Sequence, residues 1–72
     1  PRDPKTEIQE LAHARGVEPP KYTVLATDGP DHAPMFTIEA ACDLGTATAQ
    51  GPSKKEAERS AARELLKQLQ GT

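Results

Sequence analysis

Gly51-Pro52-Ser53-Lys54-Lys55-Glu56-Ala57, with the run that follows it to Gly71 (GPSKKEAERSAARELLKQLQG), is the most informative stretch of this sequence. Gly51-Pro52 breaks the preceding chain. Ser53 and Glu56 have the spacing of a capping box, in which a serine side chain closes off the first free N–H groups of a helix. Ala57, Ala61, Ala62, Leu65, Leu66 and Leu69 then recur at helical period, predicting an amphipathic helix over about 53–70. A helix with one apolar stripe must bury it against another layer, and the preceding sequence is the place to look for that layer.

Upstream, Lys21 to Thr27 (KYTVLAT) alternates and is rich in β-branched and aromatic types, predicting a strand over about 21–28. Tyr22, Val24 and Ala26 share one of its faces. Asp28-Gly29-Pro30-Asp31-His32-Ala33-Pro34 is a loop by its turn residues. A second strand follows over 35–43, with Phe36, Ile38, Ala40 and Cys42 on an apolar face and Thr37, Glu39 and Asp43 on the other. Gly45 allows a tight turn into a weak third strand over about 45–50. Short connections make the three strands an antiparallel meander.

At the start of the chain, Asp3 is a suitable N-cap and Pro4 fits the first helical position, predicting a helix over about 4–15. Ile8, Leu11 and Ala12 form its apolar stripe. Thr6, Gln9, Glu10 and His13 form a polar stripe on the opposite face. Gly16 is expected to end the helix in a left-handed conformation. The predicted class is α+β, in the order α-β-β-β-α, with both helices packed on one face of a three-stranded antiparallel sheet. Residues 1–72 are expected to form a single domain.

Composition narrows the function. The chain has 72 residues, 35% hydrophobic and 28% charged, with Tyr22 and Phe36 as its only aromatic residues. A domain of this size buries only about 60% of its unfolded surface and has no room for a deep cleft between two lobes. The single cysteine, Cys42, excludes an intrachain disulfide, and with two distant histidines it builds no zinc site. Its place on the apolar strand face marks it as a core residue rather than a nucleophile. No carboxylate cluster suits Mg²⁺, and Ser53 is accounted for as a cap, so neither a metal centre nor a hydrolytic triad is expected. No apolar run approaches the roughly 18 residues of a membrane span, and no signal peptide is visible. Because the chain begins at Pro1 and opens on a helix cap, it is expected to be one domain of a longer protein.

The formal net charge is −2, which by itself argues against a nucleic-acid binder. Its distribution argues the other way. Residues 1–20 carry three basic and four acidic side chains, and residues 21–50 one basic and four acidic. Residues 51–72 carry five basic and three acidic, a surplus of two. Lys54 and Lys55 stand at a helix start, where the helix dipole prefers acids. Local rules are broken mostly at functional sites, and cations beside free N–H groups make a phosphate clamp. The ordinary alternative is a solvated helix start. The loop Gly29-Pro30-Asp31-His32 suits insertion into a groove, against the alternative of a plain hairpin loop. The stripe Thr6, Gln9, Glu10, His13 suits 2′-hydroxyl contacts along an RNA minor groove, against that of a solvated face.

Taken in order and at their spacings, these segments resemble a double-stranded-RNA-binding domain over nearly the whole chain. The matching residues are the opening helix with Gln9-Glu10, Pro20-Lys21-Tyr22-Thr23-Val24, Gly29-Pro30-Asp31-His32, Phe36-Thr37-Ile38, and Ser53-Lys54-Lys55-Glu56-Ala57 followed by Ala61-Ala62. Asp3-Pro4-Lys5-Thr6 running into Ile8-Gln9-Glu10, together with Glu58, is similar to the C-terminal domain of bacterial ribonuclease III. There are departures: Ala49 stands where many members have the first glycine of Gly-x-Gly, Pro52 precedes Ser53, and Glu58 replaces a cation common in eukaryotic members.

The resemblance implies three RNA contacts. Thr6, Gln9, Glu10 and His13 would enter one minor groove, and Gly29, Pro30, Asp31 and His32 the next. Ser53, Lys54 and Lys55 would bridge the phosphates between, a span of about 16 base pairs read by A-form shape. It further implies that these residues are not an enzyme and need no cofactor or metal, and that they bind no membrane or small molecule. They would position RNA for a ribonuclease III endonuclease domain elsewhere in a cytoplasmic, homodimeric parent that uses Mg²⁺ and processes RNA, ribosomal RNA included. The alternative is a protein–protein module of the same fold that has lost RNA binding, which the acidic balance and Glu58 favour.

Overall fold

The computed structural model describes residues 2–71; Pro1 and Thr72, the ends of the expected domain, lie outside them. The elements are α1 (Pro4–Ala14), β1 (Lys21–Asp28), β2 (Met35–Cys42), β3 (Gly45–Gly51) and α2 (Lys54–Gln70), in the expected α-β-β-β-α order. The apolar stripe of α2 decides how they assemble. Ala57, Ala61, Ala62, Leu65 and Leu66 are buried where α2 lies across β3 and β2. Three of those five are alanines, which cost a helix nothing in side-chain entropy and let its backbone come close to the sheet.

The closest approach is at Gly51, the last residue of β3. A Cβ there would stand 2.7 Å from the Ala57 nitrogen and 3.0 Å from its Cα. Only a hydrogen fits, so glycine lets the strand turn into the helix through just Pro52 and Ser53. The family-like glycine that this sequence retains is therefore the one under steric demand. Ala49, in place of the other, is half-buried and packs against the core.

The sheet is antiparallel in the order β1-β2-β3. Ala40 of β2 pairs with Tyr22 and Ala47, Ile38 with Val24 and Ala49, and Phe36 with Thr27 and Gly51. This register puts Phe36, Ile38, Ala40 and Cys42 on the helix side, as the alternation predicts. The outer face carries Thr37 and Glu39, flanked by Thr23 and Thr48; Gln50 donates to Thr37 across it at 3.1 Å. Ile8 of α1 joins Ala40, Ala47, Ala61, Ala62, Leu65 and Leu66 in one core, with Cys42, Leu11, Tyr22 and Leu69 packed around it.

Three local expectations are corrected. The face Tyr22, Val24, Ala26 is broken by an irregularity between Val24 and Ala26, so that Ala26 pairs with Thr37 and changes sides. Val24 itself is 42% exposed, because α2 covers β3 and β2 but not this edge strand. Second, β2 ends at Cys42: the pair Cys42–Gly45 leaves Asp43 and Leu44 as the turn. Third, Gly45 begins β3 as the expected range has it, but the turn attributed to it falls on Asp43 and Leu44, and its φ is not positive.

α1 is capped by Asp3, whose carboxylate accepts from the Lys5 N–H at 2.9 Å. It ends one residue earlier than expected, with Arg15 as cap. Gly16 N–H then bonds to His13 O at 3.1 Å and Val17 N–H to Ala12 O at 3.0 Å, the paired bonds of a left-handed helix stop. Among the described residues no helix is long and apolar enough to cross a membrane.

Gly51→Ala is expected to destabilise the chain by about 1–3 kcal/mol, as an added methyl group does in a packed site that cannot relax. Urea denaturation checks this, and an unchanged midpoint would contradict it.

Candidate nucleic-acid interface

The start of α2 carries the serine half of the capping box, and the Glu56 carboxylate meets the Ser53 hydroxyl rather than the Ser53 N–H. Ser53 Oγ accepts from the Glu56 N–H at 3.1 Å and donates to the Glu56 carboxylate at 3.4 Å. The cap leaves the first-turn N–H groups of Lys54 and Lys55 without helical carbonyls to bond, which is the general condition of a helix start. Both lysine side chains are exposed, and among the described residues neither makes an ion pair. The two ammonium groups and the positive end of the helix dipole thus stand together, attractive to an anion and mildly unfavourable to the helix.

The loop Gly29-Pro30-Asp31-His32 is exposed throughout. Gly29 holds a φ of +84°, and a Cβ there would stand 2.6 Å from the Ala33 carbonyl oxygen, so no other residue fits unstrained. Ala33 N–H closes the loop onto Pro30 O at 2.9 Å. The loop leaves the sheet at the Asp28–Met35 pair, next to Phe36, which pairs on its other side with Gly51. The register therefore brings the loop and the start of α2 to the same end of the sheet, although more than twenty residues separate them in sequence.

On α1, Thr6, Gln9, Glu10 and His13 are all exposed and together line an open groove of about 600 Å³, completed by Val17, Glu18 and Pro19. Glu10 would repel phosphates if it stood alone. It does not: the Arg2 guanidinium pairs with it. Sequence reasoning missed this pair, which lies across two turns of α1 from the residues before the cap.

It also missed what ties α1 to α2. Lys5 Nζ lies 2.5 Å from the Glu58 carboxylate and 4.8 Å from the centre of the Tyr22 ring, and Arg59 lies 3.7 Å from Asp3. Residues 53 apart in sequence carry no periodic signal of their contact. These bonds fix the N-terminus of α1, one residue from Thr6, beside the second turn of α2, just past Lys54 and Lys55. The half-buried phenol of Tyr22 is pushed up to about 12 by burial first, with Glu58, Asp3 and Cys42 adding to it. Among the described residues no group of three or more His, Cys, Asp or Glu side chains is placed to hold a metal ion.

The sequence profile of the double-stranded RNA binding motif matches residues 4–69. The chain belongs to this family. Within the double-stranded RNA binding motif family, it is 54% identical to Ribonuclease 3 of Dinoroseobacter shibae over 70 residues, covering 96% of this chain and 31% of that protein. It is 53% identical to Ribonuclease 3 of Rhodobacter capsulatus over the same coverage. The chain thus spans about 31% of the length of these curated relatives. The solution structure of both double-stranded-RNA-binding domains of DRB4 with their linker superposes with a TM-score of 0.74 at 32% identity, over 94% of this chain and 44% of that one. The fold and family expected from the residues are those found.

Tyr22 makes this junction sensitive to alkali. An unfolded tyrosine ionises near pH 10, and the folded one near 12. The stabilisation is complete below pH 10 and is lost as pH rises towards 12, because the unfolded chain releases a proton that the folded chain retains. The melting temperature should fall more steeply between pH 10 and 12 in the natural chain than in Tyr22→Phe. Parallel curves would contradict this.

Proposed function

We propose that this chain binds double-stranded RNA by shape, through phosphate and 2′-hydroxyl contacts, and so positions a duplex for a ribonuclease III-type endonuclease. Family membership supports RNA binding in general. The observation that carries the finer reading is the start of α2, where Lys54 and Lys55 extend from a capped helix without ion-pair partners among the described residues. Ser53, Lys54 and Lys55 bridge the phosphates of a major groove. Thr6, Gln9, Glu10 and His13 meet the 2′-hydroxyls and base edges of one minor groove, and Gly29, Pro30, Asp31 and His32 those of the next. Hydroxyls and neutral polar edges suit the α1 groove, because Glu10 is offset by Arg2 and the rest of that stripe is uncharged or a histidine.

In this proposal the 72 residues cut nothing. Hydrolysis, its Mg²⁺ and the homodimer contact belong to the remainder of a ribonuclease III-like protein working in the cytoplasm, and these residues take no cofactor of their own. The alternative of a protein-contact module rested partly on Glu58. That support is weakened, because Lys5 neutralises the Glu58 carboxylate.

Lys54→Ala with Lys55→Ala is expected to weaken duplex binding by roughly 10- to 100-fold at moderate salt, equally for unrelated duplex sequences, and to flatten the salt dependence by about two phosphate contacts. Gel-shift titration at several salt concentrations measures both. Unchanged affinity and slope would contradict the assignment. Failure of the natural chain to bind duplex RNA at low salt, with self-association on a sizing column, would favour the alternative.

A further inference from the structure

Glu58 stands four residues after Lys54, the spacing at which helix side chains become neighbours and a lysine and a glutamate pair. Such a pair would occupy the ammonium group that phosphate binding needs. It does not form: among the described residues Lys54 has no ion pair, and the Glu58 carboxylate is 2.5 Å from Lys5 Nζ. The competition is settled by surroundings. The Lys5 and Glu58 side chains are 37% and 28% exposed, so water and salt screen them less than they screen Lys54 at the exposed helix start. Lys5 is also held in place over the Tyr22 ring, 4.8 Å from its centre, a favourable site for a cation. Arg59, four residues after Lys55, is drawn the same way towards Asp3 at 3.7 Å, which takes a like charge away from Lys55.

We infer that Lys5 is a positioning residue for RNA binding: it holds the Glu58 carboxylate away from Lys54 and so keeps the Lys54 ammonium available to a duplex phosphate. This rests on the RNA-binding reading above. It gives Glu58 a place in a basic site, where otherwise it is only a lost cation. It also separates two effects of Lys5, its own charge and its control of another residue's charge.

The test is a salt titration of duplex RNA binding by the natural chain, Lys5→Met, Lys5→Met with Glu58→Gln, Lys54→Met, and Lys5→Met with Lys54→Met. Circular dichroism confirms that each is folded; if Lys5→Met is not, Lys5→Gln takes its place, retaining a long uncharged side chain over Tyr22. Lys5→Met is expected to weaken binding roughly five- to tenfold and to flatten the salt dependence by about one phosphate contact. Removing Glu58 as well should restore both. In the Lys54→Met background, the Lys5 substitution should cost roughly twofold or less, since its effect passes through Lys54. Lysine-ammonium NMR adds a readout that a merely structural role would not move: the Lys54 Nζ signal shifts in Lys5→Met and returns when Glu58→Gln is added. An unchanged slope in Lys5→Met, no rescue by Glu58→Gln, or an undiminished loss in the Lys54→Met background would overturn the inference while leaving the RNA-binding reading in place. No duplex binding by the natural chain would overturn both.

Discussion

The close seating of α2 on β3 and β2 is the constraint on which the rest of this molecule depends. Alanines at positions 57, 61 and 62 bring the helix down onto the sheet, and Gly51 removes the one side chain that would hold its first turn away. With α2 in that position, its capped start lies at the end of the sheet from which the β1–β2 loop projects. Its second turn receives the N-terminus of α1 through Lys5 and Asp3. The three regions proposed for RNA contact are thus referred to one element. This suits a shape reader, because A-form geometry is recognised by the spacing between contacts more than by any one of them.

Internal ion pairs leave the net charge of −2 unchanged, but they decide which charges remain for a polyanionic partner. Arg2 offsets Glu10 on the α1 face, Lys5 offsets Glu58, Asp3 draws Arg59, and Glu64 pairs with Lys67. Two of these pairs, at Glu58 and Arg59, lie one turn past the start of α2, and the other two lie farther from it. Pairs as exposed as Lys67–Glu64 add little to stability, so their effect is chiefly on which charges remain for a ligand. Among the described residues five cations remain without such partners, Arg15, Lys21, Lys54, Lys55 and Arg63, and of these Lys54 and Lys55 are adjacent. A net charge of −2 describes the whole chain, whereas a duplex meets only the face presented to it.

Much of this was legible in the sequence because it rests on local rules. Capping spacing at Ser53 and Glu56, the helical stripe of α2, the alternation of β2 and the turn residues at 28–34 each point to one element type, and together to one order. The exposed placement of Thr6, Gln9, Glu10 and His13 followed from the same periodicity. What was not legible depends on tertiary distance. The switch of Ala26 to the outer face needs the pairing register, and the exposure of Val24 needs to know which strands α2 covers. The Lys5–Glu58 and Asp3–Arg59 pairs join residues whose separation in sequence says nothing of their meeting. The turn attributed to Gly45 fell instead on Asp43 and Leu44, because glycine suits turns in general without specifying one.

Recognition by shape requires that the three regions engage one duplex together. The direct measurement is an NMR titration of the isotopically labelled chain with a duplex RNA of about 16 base pairs, the span of such a reader. Backbone and side-chain signals should move together at Thr6, Gln9, Glu10 and His13, at Gly29 to His32, and at Ser53 to Lys55, while Thr23, Glu39 and Thr48 on the outer sheet face stay still. Shifts centred on that outer face, or confined to one of the three regions at saturation, would contradict it.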